Sequence, residues 1–224
     1  MGSNDALVFS TMAKYFSPTT ESDWVEATCP SAWASFLDGV RQLLQDDAGL
    51  GQATTPAHHM HARKPLQTFL ANDEVNALFT PPTFAEKQAF AAKHLIGGLP
   101  VSAVPVESLY VQWTSKPNAT TFAQKEGLYI SDAALYMQAL LDRMGFEVPE
   151  EFASYPDHLS IELELLSALI DEGLVEEARM FLIERFAWLT TYRLQLVGLG
   201  KEALFALALV DAILGIRAQQ ADRA

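Results

Sequence analysis

Apolar positions recur along this chain with the three-to-four-residue spacing of buried helix faces, and nowhere over useful length with the alternation of strands. Leu7, Val8, Met12, Tyr15 and Phe16 share one side of a first segment, which Asn4 or Asp5 caps and Ser17-Pro18 ends. After a short acidic helix over 21–27, Pro30-Ser31 opens a third. In it Trp33, Phe36, Leu37, Val40, Leu43 and Leu44 keep i, i+3, i+4, i+7 spacing up to Asp46. The spacing resumes at Leu66, Phe69, Leu70, Val75, Leu78 and Phe79. Thr83-Phe84-Ala85-Glu86 is a capping box that predicts a helix through Phe90 and His94 to Leu95 or Ile96, ended by Gly97-Gly98. His94 falls where an imidazole can meet the last carbonyls. Leu128, Ala134, Leu135, Leu140, Leu141 and Met144 describe a helix that stops at Gly145. A long helical stretch over 174–199 and a last apolar helix follow, with Gly198 and Gly200 between them. The predicted fold is all-α: a single compact bundle of about ten helices, with residues 115–127 a candidate hinge between two subdomains.

Two stretches carry the chemistry. Pro105 permits a helical turn that puts Glu107 and Tyr110 on one face, with Trp113 and Thr114 nearby. A tyrosine hydrogen-bonded to a buried carboxylate and a tyrosine facing a partner both fit that pair. Some fifty residues later, Pro156 keeps Tyr155 out of helical geometry and Asp157 is a good N-cap. Ile161, Leu165, Leu166, Leu169 and Ile170 then repeat with helical spacing as far as Gly173, a C-cap. Glu162 and Glu164 lie in the first turns, where the helix dipole favours acids. The same dipole disfavours an imidazolium, so His158 is predicted to be neutral, a donor or acceptor and not a charge.

Pro156-Asp157-His158-Leu159 followed by Ser160-Ile161-Glu162-Leu163, and preceded by Pro105-Val106-Glu107-Ser108-Leu109-Tyr110, resembles the signature of a known family. It is that of the TorD/DmsD/NarJ-type cytoplasmic chaperones, which mature molybdenum-containing redox enzymes. Ala6-Leu7-Val8-Phe9-Ser10 through Phe16-Ser17-Pro18 is similar to the family's first helix, and 181–189 to its late helix with a tryptophan. The resemblance implies a system-specific chaperone of the cytoplasm and not an enzyme. It would bind the twin-arginine leader and apo-form of a molybdopterin-containing oxidoreductase and hold it for cofactor insertion. Glu107, Ser108 and Tyr110 would then take part in the partner-peptide groove. A basic, apolar leader suits an acidic rim, for which Asp157, Glu162 and Glu107 are candidates, and an aromatic floor, for which Tyr110, Trp113 and Tyr155 are. His158 would orient the rim. The other reading is a helical adaptor or assembly subunit that stays on a mature redox complex. A homodimer, even one swapped across 115–127, is compatible with the bundle.

Composition narrows the classes. The 224 residues, half of them hydrophobic, suffice for one sizeable core. Lys plus Arg number 15 against 28 Asp plus Glu, a net charge of −13 that disfavours nucleic acid and anionic lipid and favours a basic partner. The one cysteine, Cys29, excludes an internal disulfide and suits a reducing compartment. No secretory signal, myristoylation site or adjacent arginine pair is seen, so a twin-arginine signal is expected to belong to the partner. The apolar run Leu204 to Ile216 is too short to span a bilayer. His58-His59-Met60-His61 sits in a Gly- and Thr-rich loop with no second ligand cluster, and no metal or other cofactor is expected. Phosphate-loop, nucleophile-elbow and zinc-protease fingerprints are all missing. Asp157, His158, Glu162 and Glu107 are the only acid/base constellation.

Overall fold

The computed structural model describes residues 3–45, 79–97, 102–116, 118 and 120–222. Its α-helices are α1 (Ser3–Phe16), α2 (Glu21–Thr28), α3 (Pro30–Gln45), α4 (Phe84–Phe90), α5 (Asp132–Met144), α6 (Leu159–Asp171), α7 (Val175–Arg185), α8 (Leu189–Gly198) and α9 (Leu204–Ala221). The fold is all-α as the spacing predicts; among the described residues no strand forms, and a single antiparallel bridge joins Val106 to His158. The loop over 47–64 with its His58-His59-Met60-His61 run, and the helical spacing from Leu66 to Leu78, lie outside the described residues.

The centre is the pairing of α1 with α6. Helix α1 buries Val8, Phe9, Met12, Ala13 and Phe16, while α6 buries residues on nearly every side, from Leu159 and Leu163 to Leu169 and Ile170. A helix apolar all round belongs in an interior, and here α1 and α7 pack against it. The Ser167 hydroxyl donates to the Ala6 carbonyl at 2.9 Å and fixes the register of the central pair. Trp24 and Trp33 donate their indole N–H to the carbonyls of Pro82 and Phe79, at 2.9 and 2.7 Å, and so tie α2 and α3 to the chain before α4. Asp211, the one charge in the apolar run of α9, is paired with Arg193, Nη2 to Oδ2 at 3.1 Å. No helix among the described residues is long and apolar enough to cross a membrane.

Several boundaries depart from the predicted ones. The first helix opens at Ser3, ahead of its predicted caps. Helix α5 starts at Asp132 and not near Leu128, because Gly127 and Ile130 take positive φ (78° and 58°) and Ser131 caps the helix by accepting from the Ala133 amide at 3.1 Å. The stretch 174–199 is not one helix: a 3-10 turn, Phe186–Trp188, separates α7 from α8. Phe186 and Trp188 are both buried, which positions i and i+2 of a straight α-helix cannot achieve on one face. By contrast, the Thr83–Glu86 capping box forms, α4 runs on as a π-helical turn to Leu95, and Gly173 (φ 75°) ends α6. Within 115–127 the chain folds back, the Trp113 and Thr114 amides donating to the carbonyls of Lys125 and Ala123 at 2.9 and 3.0 Å.

Candidate partner-binding site

The two stretches singled out by sequence meet. Pro105–Glu107 lies against Asp157–Leu159: the Glu107 amide donates to the Asp157 carbonyl at 3.0 Å and the Leu159 amide to that of Pro105 at 2.8 Å.

Asp157 does not cap α6. The cap is His158, whose Nδ1 accepts from the Ser160 amide at 3.2 Å and lies 2.8 Å from the Ser160 hydroxyl. That leaves the proton on Nε2, and burial lowers the imidazole pKa to about 3, so the predicted neutral histidine is what the fold produces. Asp157 is freed to accept from Ser108 instead, from its amide at 2.7 Å and also from its hydroxyl. Ser108 Oγ in turn lies 2.8 Å from Ser131 Oγ, the cap of α5. One carboxylate thus joins the start of α6, the turn at 107–109 and the start of α5.

Glu107 and Glu162 form a second buried group. The guanidinium of Arg185 donates to Glu107 Oε2, and Trp188 Nε1 donates to Glu162 Oε2 at 3.1 Å. Glu162 is fully buried, and no nitrogen or hydroxyl reaches its Oε1. Burial, only partly offset by Arg185, lifts Glu107 to about 7. Glu162 is raised well above the ordinary range, first by burial and then by the charge of Glu107 beside it. Burial of both groups, with the charge of Glu107 beside Glu162, favours a proton held on the pair.

Tyr110 faces inward. Its ring stacks on Trp188 at 5.5 Å, meets Tyr192 edge-on at 5.4 Å, and its hydroxyl donates to the Val104 carbonyl at 2.9 Å, not to a carboxylate. Trp113, half-buried, uses its backbone: its carbonyl accepts from the Asp132 amide at 2.9 Å. Glu107, Asp157 and Glu162 therefore form no surface rim, and Tyr110 belongs to an aromatic stack. The physical reason is that each carboxylate found donors inside the bundle, so none needed water.

Tyr155 and His158 do reach a groove. It holds about 600 Å³ between Phe16 and the chain after it, the α4 wall from Lys87 to Ile96, and Val106, Phe152 and Tyr129. Tyr155 is 36 % exposed, with its ring 5.2 Å from that of Tyr129. Arg185, Ser131 and Lys87 were not singled out by sequence, and Trp188 only as the tryptophan of the late helix. Buried Glu107 and Glu162 demand a cation and a donor, and only the fold reveals that they are buried.

The apolar groove thus lies beside the buried polar junction that joins α5, α6 and the turn at 107–109. The chain belongs to the nitrate reductase delta subunit family, whose model matches residues 66–193, and so to the redox enzyme maturation proteins of the TorD/DmsD/NarJ type. Every residue of the junction, from Glu107 to Trp188, lies within that span. Searches of curated proteins and of solved structures give no match. The family's work is the maturation of molybdenum-containing redox enzymes.

Proposed function

We propose that this chaperone binds the twin-arginine leader and the apo-form of a molybdopterin-containing oxidoreductase in the cytoplasm, and keeps the client from export or assembly until its cofactor is inserted. The groove beside the Val106–His158 bridge is the observation that carries this reading. It offers an apolar surface about 600 Å³ in extent, framed by Tyr129 and Tyr155, in a chain of net charge −13. A leader presents the complement, a basic segment followed by an apolar helical core. The buried carboxylates act as struts: they fix the walls, and the exposed aromatics make the contact.

The test is a pull-down from native cytoplasm with this protein as bait, read by mass spectrometry. Recovery of an oxidoreductase precursor with its leader intact is the expected result. Recovery of a mature, cofactor-loaded complex instead would replace the chaperone reading with a resident assembly subunit.

A further inference from the structure

The groove has chemically different ends. Lys87, on α4, is 3 % exposed and lines the groove. Its ammonium donates to the Ser17 carbonyl at 2.8 Å and lies 5.5 Å from the Trp24 ring, and no carboxylate among the described residues pairs with it. An ammonium has three donors. Burying one without a counter-charge is costly, and here the cost lowers its pKa to about 8. The remaining donors call for oxygen atoms that the described residues do not supply.

From Lys87 the wall runs along α4 and the π-helical turn Ala91–Leu95 to Ile96, roughly 13 Å at about 1.5 Å per helical residue. At that far end Gly97 passes so close to Tyr129 that a Cβ there would come 3.1 Å from the phenol oxygen. Tyr155 faces the same Tyr129 ring, and the turn that leads to Tyr155 carries Glu151, which also lines the groove. Two aromatic faces and a carboxylate suit a guanidinium. The rest of the lining is mostly apolar, with Leu95, Val104, Val106 and Phe152 beside the neutral His158.

We infer that the groove reads the direction of its peptide: Lys87 receives the free carbonyls that end an apolar helical segment, and Tyr129, Tyr155 and Glu151 receive the basic residues that precede it. This deepens the leader-binding reading above and rests on it. A helix of about nine residues fills roughly 13 Å, and its last turn leaves four carbonyls without intrahelical partners at the negative end of its dipole. Threaded the other way, the same peptide would set arginine against Lys87 and bare carbonyls against Glu151.

The experiment uses the full chain and two synthetic peptides. One has an arginine pair before a Leu/Ala-rich segment, and the other has the same residues with the arginine pair after it. Each carries a benzophenone at its first or last residue. For the forward peptide, the last-residue probe is expected to crosslink to residues 17–19 and 87–92, and the first-residue probe to Tyr129 and 151–155. Calorimetry is expected to give the reversed peptide about tenfold weaker binding, with Lys87→Met weakening the forward peptide by a similar factor and Lys87→Arg retaining it. Crosslinks of the opposite polarity, or equal affinity for both peptides, would overturn the directional inference and leave leader binding standing. Failure of both peptides to bind would remove leader binding as well. The crosslinks decide the question even if Lys87→Met does not fold.

Discussion

Arg185 at the end of α7 pairs with Glu107, 78 positions earlier in the chain. That contact ties the turn at 107–109 to the far side of the bundle and sets how much charge the neighbouring Glu162 can carry. Arg185→Met is expected to lower the unfolding free energy by about 2–3 kcal/mol, the usual scale for a lost charged hydrogen bond. Adding Glu107→Gln to that variant should recover part of the loss, because the carboxylate that Arg185 paired with is then gone. Urea titrations of the two single variants and the double variant measure both quantities.

The buried groups make stability depend on pH in two opposite ways. Glu107 is raised from 4.5 to about 7 on folding, with Glu162 also raised, so their contribution is full below pH 4.5 and is lost as pH rises through about 7. His158 is lowered from 6.5 to about 3, so its contribution is full above pH 6.5 and is lost as pH falls toward 3. Between 4.5 and 6.5 the two oppose; of these three groups, the carboxyls act above 6.5 and the histidine below 4.5. The urea midpoint is expected to fall between about pH 6.5 and 8. Glu107→Gln should flatten that limb and His158→Gln the acid limb, and an alkaline limb unchanged in Glu107→Gln would clear Glu107 as its source.

Asp157 joins three elements through Ser108. Asp157→Ala is expected to cost about 2–3 kcal/mol. Leader affinity per folded molecule should stay near the parent value, since the carboxylate is buried behind the groove wall. Calorimetry paired with a urea titration tests this, and a variant of parental stability that has lost leader binding would place Asp157 in direct contact with the peptide.

Tyr155 is the contrasting case, with over a third of its surface exposed at the groove. Tyr155→Ala should weaken a leader peptide about three- to tenfold, the scale of one aromatic contact. Stability is expected to change by no more than about 0.5 kcal/mol. Equal losses in both measurements would make Tyr155 a packing residue.

The all-helical fold was legible because its signals are local: the Thr83–Glu86 box, the stop at Gly173 and the apolar spacing of α3 each lie within a few residues. The choice between Asp157 and His158 as cap was not, because Ser108, 49 positions away, decides it by claiming the aspartate. The break at Phe186–Trp188 had no such local signal, since a helix packed on all sides, as α6 is, buries i and i+2 together without one. Lys87 carried no signal; on a helix reading Phe-Ala-Glu-Lys-Gln-Ala-Phe it looks solvated, and only the packing of Trp24 and Ser17 around it makes it a buried cation.

The pairing of α1 with α6 also bears on how the protein is made. Ser167, which holds the Ala6 carbonyl, leaves the ribosome 161 residues after it. At about 5–20 residues per second that interval is roughly 8–32 s. For nearly all of it, Phe9, Met12 and Phe16 have been synthesised but α6, the helix they pair with most, has not. A member of a maturation family thus spends that interval as a chain whose own first apolar face is uncovered by its central partner.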